Sequence, residues 1–386
     1  MPGPSFCSLT LRYNLPMAST SVELSAAQAR LKRTQGQRLY EPATPGSLGE
    51  VVRSVCGVNA QRASAMMLSL RARVAGLERS DVEEAIRSNA LCRSWTLRGT
   101  IHLHQPADLP WLVALLGPTS IAAGERRRSE LGLTEDVLGR GLEEIEKALA
   151  GTTLLTRWEL MDRLDESGLK LDRKSQAPIH LIRYAALKGL LAIGPDRANG
   201  KPTYGLFAEL AGKKASGSRQ EGLEELARRY LEGYGPVSLG DCSAWSGLRA
   251  PDARAGWERL RQADGLVETC FEGKTLWSLE PGAPGARRRV ARLLPSFDSY
   301  LLGYSDRGLV VPDEHFKDVY RGGQTAPAFT IDGLVAGTWS YGRKGKTLAI
   351  EVRPFGALDR TARGLITREA EDVSRFMGMT LSLSVR

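Results

Sequence analysis

Cysteine is scarce and unpatterned in this chain of 386 residues. Its five cysteines, Cys7, Cys56, Cys92, Cys242 and Cys270, stand singly, with no Cys-x-x-Cys pair. An odd, scattered set argues against a disulfide framework and against a zinc site. Histidine numbers only four, too few for a histidine-rich metal centre. No window approaches about 18 consecutive apolar residues, so no transmembrane helix is expected. The opening MPGPSFCSLTLRYNLPMAST lacks the basic start and apolar core of a secretory signal. It reads as a disordered leader over residues 1–23, with Met17 as an alternative start, and the expected setting is cytoplasmic. Nothing has the pattern of a phosphate loop, a nucleotide-binding fold or a nucleophilic triad.

What is present is the composition of a folded protein, 42% apolar and 25% charged. The length implies two to four domains. Lysine and arginine number 53 against 44 acidic residues, a net charge of +9. A positive surface of that size favours polyanions, because contact with phosphates releases condensed counterions.

Helical and strand periods alternate along the chain. After the basic helical stretch AAQARLKRTQGQRL, a helix is predicted from about Ala60 to Val74, with Ala63, Met66, Met67, Leu70 and Val74 on its buried face. Ser80 is expected to open the next helix, with Glu83 in the capping-box position. Residues 91–104 then switch to period 2. Trp95, Leu97, Ile101 and Leu103 fall on one side; Thr96, Arg98, Thr100, His102 and His104 fall on the other. Helices followed by a hairpin recur over 152–206, where the helix Pro178–Lys188 precedes LLAIGPDRANGKPTYGLF, and again over 220–279. The expected fold class is α+β. Three tandem winged helices are predicted over 24–115, 116–215 and 216–283. A β-barrel-like domain with a C-terminal helix and strand is predicted over 284–386, with Asp332-Gly333 as a hairpin turn.

Five phrases, in this order, carry a resemblance: GVNAQRASAMMLSLRAR (57–73), WTLRGTIHLH (95–104), RRYLEGYGPVSLGDCSAWSGL (228–248), RLLPSFDSYLLGYSDR (292–307) and GLVAGTWSYGRKG (333–345). Together they resemble the winged-helix family that includes the bacterial DNA glycosylases AlkZ and YcaQ, across about residues 25 to 355. The resemblance implies tandem winged helices around a concave surface plus a β-barrel. It also implies a monofunctional DNA N-glycosylase that excises alkylated purines without metal or cofactor. The family's catalytic motif is Gln-x-Gln, or Gln-x-Asp in one branch. The matching positions here read Asn59-Ala60-Gln61, so the second position agrees and the first does not.

The chemistry suits these residues. An N7- or N3-alkylated purine is cationic and already a good leaving group, and its loss passes through an oxocarbenium-like sugar. An amide can orient and polarise the attacking water, whereas only a carboxylate can also take its proton. An amide site is therefore restricted to labile, cationic lesions. Asn59 and Gln61, two apart in extended backbone, fall on the same side and can flank one water. Asparagine is shorter than glutamine by about 1.5 Å, a displacement of the size that costs about 100-fold where positioning matters. The competing structural role for Asn59 is an N-cap of the helix over 60–74.

Candidate DNA contacts are Arg98, His102 and His104 on the first hairpin, the clusters Arg126-Arg127-Arg128 and Arg173-Lys174, and Arg183 on the second unit's last helix. The cluster Arg287-Arg288-Arg289 is a further candidate for lining a DNA path. The bland alternative is a solvated wing with His102 bonded to nearby backbone, and solvated charge runs at all three clusters. Asp306-Arg307 is read as an ion pair holding a turn, and Asp298 as a carboxylate open to either a structural or a site role. The expected partner is damaged double-stranded DNA in the nucleoid, bound by a monomer, with no metal and no membrane. Two alternatives stay open: a winged-helix DNA-binding or regulatory protein without catalysis, and a scaffold recognising another protein.

Overall fold

The computed structural model describes residues 22–151, 154–212, 217–263, 265–280, 285 and 288–386. The leader assigned to 1–23 lies, apart from its last two residues, outside them. The fold is mixed α+β. Three times along the chain, three helices lead into an antiparallel hairpin. The first pass has helices Leu48–Ser54, Ala63–Arg71 and Arg79–Arg87, then strands Cys92–Trp95 and Ile101–His104. The second has Glu135–Leu149, Arg157–Glu166 and Ala177–Leu187, then Leu191–Ile193 and Thr203–Leu206. The third has Arg219–Tyr234, Leu239–Ser246 and Ala250–Gln262, then Val267–Phe271 and Lys274–Ser278.

Local sequence sets these boundaries. Thr156, Ser218 and Ser238 cap their helices with Glu159, Glu221 and Asp241 completing capping boxes. Gly189, at φ 72°, ends the helix Ala177–Leu187. One boundary differs from expectation. The helix Arg79–Arg87 is capped by Glu78 paired with Asp81, not opened by Ser80 with Glu83; Glu83 instead accepts a hydrogen bond from Arg79 one turn earlier. A carboxylate reaches the free N–H groups as well as a hydroxyl does, and its charge also suits the helix N-terminus.

The first two hairpins do not stand apart. They fuse into one six-stranded sheet in the order Val58–Asn59, Ile101–His104, Cys92–Trp95, Leu191–Ile193, Thr203–Leu206, Leu155–Thr156, joined where Arg93 pairs with Ile193. The hydrophobic cores likewise cross the expected boundaries. Leu97 and Leu112 share one core with Leu226, Tyr230 and Leu301.

The C-terminal part is a five-stranded sheet, Ala291–Leu294, Ala328–Ile331, Leu334–Lys344, Thr347–Pro354, Thr380–Val385. Its order is linear, with the first and last strands at opposite edges; the expected closure into a barrel is absent from this order. The turn at Asp332 and Gly333 has both φ values positive, 51° and 81°, as a two-residue hairpin requires. The final strand lies parallel to Thr347–Pro354, which is possible because the helix Arg360–Phe376 crosses between them. That helix buries Ile366, Ala370 and Val373 along one face.

Two buried arginines tie the first unit to this sheet. Arg71 bonds the Leu293 carbonyl, Glu369 and Asp372, each at 3.0 Å. Arg73 makes a fully buried pair with Asp298 at 2.8 Å and also donates to Gln37. Asp298, which further accepts from Ser69 and from the Tyr300 N–H, is thus a structural anchor. The stripe Met66, Met67, Leu70 is core, as its spacing predicted. Asp306 and Arg307 do not pair with each other. Asp306 pairs with Lys274, and the Arg307 guanidinium lies 4.1 Å from the Tyr320 ring centre. Adjacent side chains in extended backbone diverge, so each found a partner on its own side.

Candidate active site and nucleic-acid interface

The segment that carries Asn59 and Gln61 is aimed by its approach. Cys56 and Gly57 both have positive φ, 49° and 101°, and turn the chain from the helix Leu48–Ser54 into the short edge strand Val58–Asn59. Glycine is required at 57, because a Cβ there would overlap the His104 ring. Asn59 then pairs in register with His102 and is buried at 6% exposure, while Gln61 is exposed.

The two side chains touch. Asn59 Nδ2 donates to Gln61 Oε1 at 3.3 Å, and the Gln61 backbone N–H donates to Asn59 Oδ1 at 3.2 Å. Asn59 is not a helix cap: the helix begins at Ala63, and its N-cap is Arg62, which makes no side-chain cap bond. The chain stays extended and turning through 59–62, so the helix starts three residues later than its apolar period suggested. Asn59 therefore holds Gln61, in both backbone and side chain.

Gln61 lines a cleft of about 520 Å³ on the sheet face formed by Trp95, Ile101, Ile193 and Tyr204. Its rim carries Arg157, Trp158 and Lys201, with the Arg157 guanidinium 4.3 Å from the Trp158 ring centre. Ala63, Arg93, Asp196 and Gly200 are shared with a second cleft of about 710 Å³. Met66, Met67, Ile86 and Met377 give that cleft its apolar side, and Arg79, Arg87, Arg197 and Arg343 its basic one. The contiguous pair has the make-up of a polyanion groove: cations on the rim, apolar and aromatic surface within.

The opposite sheet face corrects the reading of the first hairpin. Within the two strands its side chains alternate as predicted. Leu97, in the turn between them, instead joins the core of Leu112, Tyr230 and Trp245 rather than that of Trp95. The polar row is covered rather than solvated. The helix Leu109–Ala123 packs on its Cys92 end through Leu109 and Val113, and the Gly57 turn closes on the His104 ring. His102 and His104 are 3% and 1% exposed, and neither offers surface to a phosphate. His104 Nε2 lies 2.9 Å from Thr96 Oγ1, and His102 Nδ1 donates to the Thr100 carbonyl at 3.1 Å. Burial, then the charge of Arg98, pushes His102 well below the ordinary imidazole value. Burial, then Arg229, pushes His104 down to about 3. Both are neutral near pH 7. Arg98 sits in the hairpin turn at φ 53° and donates to the Trp245 carbonyl, largely withdrawn from solvent.

The remaining predicted contacts gather around the helix Ala177–Leu187. Arg127 bonds both Glu130 and Gln176, which precedes that helix. Arg128 is buried, 5.1 Å from the Tyr184 ring centre, and donates to the Ile121 carbonyl. Arg183 is half-buried, its pKa lowered by burial and then by Arg128; none of its contacts is a carboxylate among the described residues. On the same helix, one turn before, Ile179 lines the Gln61 cleft. Arg126 is 92% exposed on its side chain and pairs with Glu130. Arg173 bridges Asp162 and Asp165 at 2.6 Å, and Lys174 is exposed beside it. Arg287 lies outside the described residues; Arg288 packs on Tyr40, and Arg289 pairs with Asp332 and Asp359.

Sequence reasoning missed Arg157, Trp158, Lys201, Arg93 and Asp196 as cleft residues. Signals existed for some: an Arg-Trp pair directly after a capping threonine, and three charges in the turn GPDRANGKP. Among the described residues no three histidine, cysteine or carboxylate side chains are grouped to hold a metal ion, and no helix is long and apolar enough to cross a membrane.

The mixed α+β frame is similar to that of a solved structure, the DNA glycosylase AlkZ of Streptomyces sahachiroi. The two superpose with a TM-score of 0.80 at 28% identity, over 95% of this chain and all of the other. A curated relative from the same organism, an interstrand DNA cross-link repair glycosylase, is 29% identical over 358 residues, 89% of this chain and 94% of its own. The family model of DNA glycosylase AlkZ-like proteins matches residues 52–376. The chain belongs to the AlkZ-like DNA glycosylase family.

Proposed function

We propose that this protein is a monofunctional DNA glycosylase of DNA repair that hydrolyses the N-glycosidic bond of purines made cationic by alkylation at N7 or N3. The observation that carries the reading is the Asn59–Gln61 pair at the edge of the groove. The leaving base needs no proton, since departure of the electron pair to N9 neutralises it. The site's task is to orient water and stabilise charge at the sugar. Gln61, its carboxamide held by Asn59, orients the water. Arg157, Lys201 and Arg197 on the rim, with Arg126, Arg127, Arg173, Lys174 and Arg183 around the helix Ala177–Leu187, meet DNA phosphates. Arg128, buried against Tyr184, supports that helix from within. Arg98 supports them from behind, and His102 and His104 support the site strand without touching DNA.

The three helix-and-hairpin passes are read as winged helices, over 24–115, 116–215 and 216–283, that together cradle duplex DNA. The larger cleft gives room for a bulky substituent on the base, in keeping with the cross-link repair named for the relative. The protein acts as a monomer without metal or cofactor.

A second reading, a DNA-binding protein without catalysis, is favoured by one feature: Asn59 is too short and too buried to reach far into the cleft. Duplexes containing N7-methylguanine and uracil separate the two. The glycosylase releases free N7-methylguanine and leaves uracil in place. Salt-sensitive binding of both duplexes with no base released from either supports the second reading.

A further inference from the structure

An amide pair leaves one step without an agent. When water attacks C1′, the C1′–N9 bond breaks, its electron pair goes to the cationic base, and a C1′–O bond forms. The water's proton must then pass to something more basic than an amide. The cleft that Gln61 lines contains one carboxylate among its described residues, Asp196.

Asp196 is held in place from several sides. Arg93, buried at 7% side-chain exposure, grips it with Nη2 at 2.8 Å from Oδ1 and Nη1 at 3.3 Å from Oδ2. The same guanidinium donates to the Gly194 carbonyl. The turn around Asp196 is pinned by Thr203 Oγ1 donating to the Pro195 carbonyl at 2.6 Å, and by backbone bonds between Gly194 and Thr203 and between Arg197 and Lys201. Beyond the turn, Arg197 bonds the Leu154 carbonyl. A surface wing needs no such fixing. The Asp196 side chain is still 31% exposed, and it lines both clefts where they meet. The site is thus assembled across the fused sheet, with the amide pair from the first hairpin's side and a carboxylate from the second hairpin's turn.

We infer that Asp196 is the catalytic carboxylate of this site, taking the proton from the water that Gln61 orients and setting negative charge against the developing oxocarbenium ion. The inference rests on the glycosylase reading.

The test measures single-turnover release of N7-methylguanine, duplex binding and thermal melting for the unsubstituted protein and for Asp196→Asn, Asp196→Glu and Asp196→Ala. Asp196→Asn, which keeps an acceptor for the buried Arg93, should release base about 100-fold more slowly while binding duplex as before. Its melting temperature should fall modestly from the lost charge, and formate rescue of Asp196→Ala sets the rate loss apart from that destabilisation. Asp196→Glu should recover part of the loss, and added formate should partly restore Asp196→Ala by replacing the missing carboxylate. Formate rescue is a readout that a merely structural role, steadying the wing through Arg93, does not produce. Release by Asp196→Asn within about 3-fold of the unsubstituted rate overturns the inference and leaves the glycosylase reading intact. So does a loss that comes with weaker binding or a lower melting temperature and is not rescued by formate. Absence of release by the unsubstituted protein is a different failure, that of the underlying reading, and Asp196 falls with it.

Discussion

Mild acid should loosen this protein through two histidines that never meet solvent. His104 titrates at about 3 in the folded chain and at about 6.5 once unfolded. Between those values the unfolded chain binds a proton that the native one refuses, so stability is intact above pH 6.5 and falls as the pH drops towards 3. The slope approaches 1.4 kcal/mol per pH unit for one such group, so moving from pH 7 to pH 5 removes about 2 kcal/mol. His102 is shifted in the same direction by the same cause and adds to the loss. The His104 share alone is a noticeable part of a typical stability of about 5–15 kcal/mol. Asp298 and Asp241, whose pKa values lie below the ordinary carboxylate value, add their own losses only at lower pH. Urea unfolding followed by tryptophan fluorescence at pH 7, 6 and 5 measures the effect, and His104→Gln should reduce the loss between pH 7 and pH 5 by about 2 kcal/mol. Equal midpoints at pH 7 and pH 5, or an unchanged slope in His104→Gln, would refute the reasoning and place the histidines in a wetter environment.

Three further outcomes follow from the same geometry. Gly57→Ala should cost at least about 2 kcal/mol, because the new methyl meets the His104 ring and φ is 101°; urea midpoints check this. Arg73→Met should cost about 3–5 kcal/mol by stranding the buried Asp298 carboxylate, and Arg73→Met with Asp298→Leu should recover much of it. Asn59→Ala removes both bonds that fix Gln61 and should slow base release about 100-fold while duplex binding and its salt dependence stay unchanged.

Helix and hairpin order, the Asp332-Gly333 turn and the Met66–Leu70 core stripe were all legible in the sequence. Each is a local signal, written in residues close together along the chain. What escaped was set by contacts distant in sequence. The alternation of residues 91–104 named the two faces correctly for the strand residues but not for Leu97, which lies in the turn, and it carries no information on which face another element covers. The helix Leu109–Ala123 packs on the Cys92 end of the polar face and the Gly57 turn closes on the His104 ring, so His102 and His104 become core. The fusion of the two hairpins through Arg93 and Ile193 has no local signature either, and Asp196 and Gln61 share a cleft only because of it. Asn59 suited an N-cap by residue type, but the helix starts at Ala63, and its side chain turned to Gln61 instead.

The most direct test of the account is release of free base from a duplex containing N7-methylguanine, with the unsubstituted protein beside Gln61→Ala. The account predicts release by the first and a loss of about 100-fold or more in the second, with both proteins binding the duplex equally. Undiminished release by Gln61→Ala would contradict the assignment of the site, and no release by either protein would contradict the proposed activity itself.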